Sequence, residues 1–121
     1  MTLSVLAVDD SRTMRDMLRM ALTGAGFSAV LAEDGVKGLA ALDEGEFDVI
    51  ITDINMPNMD GFSFISEVRK QDQYKTIPIL VLTTEIAPEL KAKARTAGAT
   101  GWVVKPFDAP KLVRALQLVA G

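Results

Sequence analysis

Neither cysteine nor histidine occurs in the 121 residues of this chain. The first absence removes thiolate nucleophiles, disulfides and thiolate metal sites; the second removes imidazole acid–base catalysis and histidine-held zinc. Chemistry is left to Asp, Glu, Lys, Ser, Thr and the backbone, a set of donors that suits a hard cation held by oxygen. There is no surplus of positive charge: 13 Lys+Arg stand against 16 Asp+Glu, a formal charge of −3. That balance argues against nucleic acid or an anionic membrane surface as a partner. Long apolar runs are missing as well. Stretches such as Val49 to Ile51 and Ile79 to Leu82 fall far short of the ~20 residues that cross a bilayer. Met1 to Val8 lacks the basic start and long apolar core of a secretory signal, so a cytoplasmic location is expected.

What is present is a globular composition, 49% hydrophobic and 24% charged. The length suits one domain over residues 1–121 with no separate output domain. Short apolar runs alternate with amphipathic segments. Leu3 to Val8 reads as a strand buried on both faces. A helix follows, capped by Asp10 or Ser11, with Met14, Met17, Leu18, Ala21, Leu22 and Ala25 on one stripe and Gly24 and Gly26 at its end. Ser28 to Ala32 is a second strand, and Asp34-Gly35 opens a helix whose Val36, Leu39, Ala40 and Leu42 face inward. Phe47 to Thr52 is the third strand. After a turn-rich loop from Asp53 to Gly61, the next helix puts Phe62, Ile65 and Val68 on one side. Ile77 to Thr83 is the fourth strand. Pro88 starts a helix that runs to Ala97, Thr100 to Val104 is the fifth strand, and Ala109 to Ala120 is the last helix.

Five strand and helix pairs in strict alternation predict an α/β fold, a doubly wound parallel sheet with right-handed crossovers. In such sheets ligands gather at the carboxyl ends of the strands, where the strand order reverses. Those ends carry Asp9 and Asp10, then Asp53, then Thr83 and Thr84, then Lys105. Singly, each has an ordinary structural role, Asp9-Asp10 as helix caps and Asp53 as a loop residue. Together, three carboxylates on one rim repel one another unless positive charge lies among them, and Lys105 supplies only one. A divalent cation such as Mg2+ would bring the sum to zero. A carboxylate beside Mg2+, a lysine and a hydroxyl has the parts needed to accept a phosphoryl group. Asp53, standing alone on the middle strand, is the best nucleophile, and Asp9-Asp10 reads as a metal bracket.

The motifs VDDS (Val8 to Ser11), TDINMPNMDG (Thr52 to Gly61), LTTE (Leu82 to Glu85) and GWVVKPF (Gly101 to Phe107) resemble, in order and spacing, the receiver domain of two-component response regulators, most closely its stand-alone chemotaxis members. The likeness spans the whole chain. It implies a flavodoxin-like sheet of strand order 2-1-3-4-5, the order known for chemotaxis receivers. It implies that Asp53 is phosphorylated by a histidine kinase. Mg2+ would be held by Asp10, Asp53 and the backbone carbonyl of Asn55, with Asp9 acting largely through water. Thr83 and Lys105 would engage the phosphoryl group, backbone N–H groups of Asn55 and Thr84 would add donors, and Pro106 would be cis. Asn55 and Glu85 would tune dephosphorylation. Trp102 stands where the family usually has a Tyr or Phe switch residue, alongside Thr83 as the other switch position.

The resemblance also implies output by protein binding, as a monomer, with the flagellar motor switch protein as the expected target and no substrate turned over beyond the chain's own phosphate. A phosphate sink and a phosphorelay intermediate are the alternatives within the family. An aspartate-nucleophile phosphatase of the haloacid-dehalogenase type and a flavodoxin-like FMN carrier lie outside it. The phosphatase motif belongs on the first strand, and Asp9-Asp10 would repel an FMN phosphate.

Overall fold

A computed structural model describes residues 2–120. Its elements run β1 (Ser4–Val8), α1 (Arg12–Gly24), β2 (Ser28–Ala32), α2 (Gly35–Glu44), β3 (Val49–Thr52), α3 (Gly61–Arg69), β4 (Ile79–Thr83), α4 (Pro88–Ala97), β5 (Gly101–Val104) and α5 (Ala109–Ala120). The five strands form one sheet in the order β2-β1-β3-β4-β5, all parallel. This is the flavodoxin-like, doubly wound topology that the motifs imply. None of the described helices is long and apolar enough to cross a membrane.

Side chains on the strands alternate between two cores. Leu6, Val8, Ile50, Ile79 and Val81 face Leu42 of α2 and Phe64, Ile65 and Val68 of α3. Val5, Ala7, Val49, Ile51, Leu80 and Leu82 face Leu18 and Leu22 of α1 and Leu112 and Leu116 of α5. Both faces of β1, β3 and β4 are therefore covered, which is why these strands read as unbroken apolar runs. Each fully buried Leu, Ile or Phe contributes roughly 1.5–3 kcal/mol of transfer free energy.

Some details differ from the expected pattern. Pairing in β4 begins at Ile79, not Ile77, because Pro78 has no N–H to give to the ladder. Ile77 instead donates its N–H to the Tyr74 carbonyl. A 3-10 turn at Asp72–Tyr74 was not anticipated; the Tyr74 hydroxyl donates to the Gly45 carbonyl at 2.9 Å and ties that turn to the end of α2. Phe64, rather than Phe62, is the buried aromatic of α3, and the Phe62 ring lies half-buried under the Lys93 ammonium, 4.3 Å from its centroid. In α2 the inward line is Gly38 and Leu42, while Val36 and Ala40 are exposed. A Cβ on Gly38 would stand 2.9 Å from Phe64 and 3.0 Å from Val8. The helix backbone thus sits flush on the core and rotates Val36 outward. Met17 and Met20 of α1 are also exposed.

The register positions the site. Val8 pairs with Thr52, Thr52 with Val81 and Thr83 with Val104. Ladder-like bonds continue past the strand ends: Asp9 N–H to the Ala32 carbonyl at 3.0 Å, Asp53 N–H to the Val8 carbonyl at 3.0 Å and Lys105 N–H to the Thr83 carbonyl at 2.8 Å. Asp9, Asp53, Thr83 and Lys105 consequently share one rim. Beneath that rim, Gly61 packs so close that a Cβ would lie 2.2 Å from the Asp53 carbonyl oxygen, and its N–H donates to the Ile54 carbonyl at 2.8 Å. The glycine read as a turn former is required by this close approach of backbone to backbone. Replacing Gly61 by alanine should cost at least the ~1–3 kcal/mol typical of overpacking, read as a lowered midpoint in urea followed by circular dichroism. A midpoint equal to the parent's would show that the loop can yield.

Candidate phosphoacceptor and metal site

The strand order reverses between β1, which turns to β2 on one side, and β3 on the other. Asp9 and Asp53 occupy that crevice and are buried, with relative exposures of 1% and 7%. The Lys105 ammonium reaches between them, 2.7 Å from Asp9 Oδ2 and 2.7 Å from Asp53 Oδ2. The peptide that precedes Pro106 is cis, as the motif implies.

Asp10 is exposed and completes the group. Oxygens of Asp9, Asp10 and Asp53 lie within 4.8 Å of one another. The capping role expected of Asp10 or Ser11 falls to Ser11, whose side chain accepts from Met14 N–H, while Asp9 Oδ1 accepts from Ser11 N–H at 2.9 Å. Among the described residues no hydrogen bond or ion pair engages the Asp10 side chain. Three carboxylates with one ammonium are a donor set with two negative charges to spare, all of them hard oxygens, which fits Mg2+.

Neighbouring groups fix the two buried acids. Asp53 Oδ1 accepts from Ile54 N–H at 2.6 Å, and the Thr52 hydroxyl donates to the Asp53 carbonyl at 2.9 Å. Arg15 Nη1 donates to the Asp9 carbonyl at 2.8 Å. Sequence reasoning missed the last contact, because Arg15 lies off the apolar stripe of its helix and reads as a solvated charge.

Thr83 is buried, and its oxygen accepts weakly from Glu85 N–H at 3.4 Å, which leaves the hydroxyl proton for another acceptor. Across the mouth, Asn55 Nδ2 donates to Glu85 Oε1 at 3.2 Å. The half-buried indole of Trp102 donates to the Glu85 carbonyl at 3.1 Å. One loop, the segment after β4, thus contacts Asn55 on one side and Trp102 on the other. Thr84 and Asn55 are exposed, and no hydrogen bond from their N–H groups into the site is formed among the described residues.

Residues 5–117 match the response regulator receiver domain family. The chain belongs to that family. This receiver is 36% identical over 118 residues to the chemotaxis protein CheY-3 of Vibrio cholerae, covering 97% of this chain and 91% of that protein. It superposes on the solved structure of the Vibrio cholerae chemotaxis protein CheY4 with a TM-score of 0.95 at 50% identity, covering 98% of this chain and 99% of that one. It is also similar to the receiver domain of a sensor histidine kinase from Pseudomonas aeruginosa PAO1, with a TM-score of 0.92, 26% identity, and 100% and 99% of the two chains covered. That structure has a magnesium ion coordinated in its active-site cleft. The present chain is a CheY-like receiver domain.

Burial pushes the Asp9 carboxyl above its ordinary value; the hydrogen bonds from Lys105 and Ser11 N–H pull the other way without reversing it. For Lys105, burial acts to lower the pKa, and the hydrogen bonds to Asp53 and Asp9 outweigh it, so the ammonium is held above its usual range. A carboxyl whose pKa is raised by folding costs stability once ionised. The cost is complete above the folded-state pKa and vanishes below the unfolded-state value. In metal-free buffer, Asp9→Asn should therefore raise the melting temperature by a few degrees at neutral pH, and the gain should shrink to nothing as the pH falls below about 4. A variant less stable than the parent at neutral pH would show that the Lys105 pair outweighs the burial.

Proposed function

We propose that this receiver accepts a phosphoryl group on Asp53 from a histidine kinase, with Mg2+, and controls chemotaxis by binding the flagellar motor switch. The observation that carries the reading is the buried Asp53 carboxylate held by Lys105 within a cluster of three acids at the sheet's switch point.

In the transfer an Asp53 oxygen attacks phosphorus, the P–N bond to the donor imidazole breaks, and the imidazole leaves with the bonding electrons and takes up a proton. Asp10, Asp53 and the Asn55 carbonyl would hold Mg2+, with Asp9 acting through water, and the ion would supply positive charge for phosphoryl oxygens approaching the acids. Lys105 exchanges its carboxylate partners for a phosphoryl oxygen, and the Thr83 hydroxyl donates to another. The phosphoryl group passes from the donor imidazole to this chain's own Asp53, so the receiver acts on itself rather than as a turnover enzyme.

The signal leaves through the loop after β4. A Thr83 drawn toward the phosphoryl group pulls on Glu85, whose carbonyl holds the Trp102 indole. The surface of α4, β5 and α5, edged by Lys91, Lys111 and Arg114, then changes for a protein partner in the cytoplasm.

With a small acyl phosphate and Mg2+, the parent should take up one alkali-labile, hydroxylamine-labile phosphate, as an acyl phosphate on a carboxylate does. Asp53→Asn should take up none and should fail to restore directed swimming in a strain lacking the chromosomal copy. Hydroxylamine-resistant label on the variant would remove Asp53 from the role, and restored swimming would remove phosphorylation from the signal.

Water must reach the phosphoryl group past Asn55 and Glu85, which bridge the mouth. Replacing Glu85 by leucine should slow phosphate loss several-fold in a single-turnover decay and slow phosphate gain less. Equal decay rates would show that the bridge does not control access.

A further inference from the structure

The loop from Asp53 to Asp60 carries Asn55 and is pinned at two points. Near its start, the Gly61 N–H and Ile54 carbonyl close it at 2.8 Å. Near its end, Asn58 adopts φ 68°, the left-handed region, and Met59 N–H donates to the Pro57 carbonyl at 2.7 Å. That i to i+2 bond around a residue of positive φ makes a γ-turn of the rare, strained kind. Such a turn persists only where its surroundings hold it. Here the holder is on another element: Asn58 Nδ2 donates to Asp34 Oδ2 at 2.9 Å.

Asp34 caps α2 with its other oxygen, Oδ1, which accepts from Lys37 N–H at 2.8 Å. Capping alone would be served by a serine or threonine. The side chain is buried, at 4% exposure. The Lys37 N–H first and the Asn58 amide second keep its carboxyl below the ordinary range, so it is ionised at neutral pH. Alongside, Met59 lies against Gly35 so closely that a Cβ there would meet its Cγ at 2.9 Å. The segment from Asn55 to Pro57 thus hangs between two fixed points, one on the Ile54 backbone and one at the N-cap of α2.

We propose that Asp34 and Asn58 form a positioning pair that holds the β3–α3 loop, and with it the Asn55 carbonyl, in the conformation competent for Mg2+. The inference rests on the phosphoacceptor reading above for the identity of the cation. It assigns Asp34 a role at a site it does not touch.

The test compares Asn58→Asp with the double variant Asp34→Asn/Asn58→Asp. The single variant tolerates the left-handed backbone but removes the amide donor and sets two carboxylates face to face. The double variant keeps the parent's net charge, keeps a good cap at 34, and reverses the hydrogen bond so that the amide at 34 donates to the carboxylate at 58. On 15N-labelled protein, amide exchange of residues 54 to 60 is measured in EDTA, and MgCl2 is then titrated while amide shifts are followed.

Asn58→Asp should speed exchange in the loop and weaken Mg2+ about tenfold, the usual loss when an outer partner of a metal ligand is removed. Its extra negative charge acts in the opposite direction, so weakening would report position, not charge. The double variant should restore both readouts. Parent-like exchange and affinity in Asn58→Asp, or a double variant as impaired as the single one, would overturn the proposal. A parent that shows no Mg2+ response would overturn the reading beneath it, and unchanged metal-free exchange across the variants would overturn the pair independently.

Discussion

The Lys105 ammonium lies 2.7 Å from carboxylates that arrive on two different strands, and the rest of the site depends on that contact. Asp9 and Asp53 are both buried and carry like charge, so their close approach costs energy unless a cation lies between them. One ammonium balances only part of the charge, because Asp10 stands at the same rim. The arrangement retains two negative charges for a divalent cation. Under the function proposed above, the ammonium that neutralises the acids at rest would move to a phosphoryl dianion as a better partner.

Holding these groups in place is the task of the sheet. The ladder bonds that run past the strand ends set Asp9, Asp53 and Lys105 level with one another, and two apolar cores clamp the sheet on both faces. Gly38 and Gly61 matter for the same reason. Each removes a side chain where a helix must lie against the sheet or against the backbone of Asp53. The loops above are held less by packing than by single polar contacts: Asn55 to Glu85, Trp102 to Glu85 and Asn58 to Asp34. Rigid strands fix the acids, and bonds that can be exchanged connect them to the surface.

The alternation of apolar runs and amphipathic segments made the fold class legible, because strands buried on both faces and helices buried on one leave different periods in a sequence. Asp9, Asp10, Asp53, Thr83 and Lys105 were legible too, each lying directly after an apolar run and so at a carboxyl end. Errors arose where a helix has two candidate faces. Phe62 and Phe64 differ by two positions on α3, and Phe64 is the one on the buried face with Gly61, Ile65 and Val68, where its ring packs against the Gly38 position. Val36 was assigned inward for the same reason: the periodic pattern counts apolar residues and takes no account of a glycine that lets the helix approach.

The sequence by itself determined which groups reach the rim, since strand length and the place of each acid after its strand are local properties of the chain. It determined the absence of histidine and cysteine, and with it an all-oxygen chemistry. Only the tertiary structure decided which of those groups touch. The contacts of Lys105 with Asp9 and Asp53, of Arg15 with the Asp9 carbonyl, and of Asp34 with Asn58 join residues from separate elements. Such pairs are set by strand register and by the distance between packed backbones, and neither quantity has a period that a single chain can display.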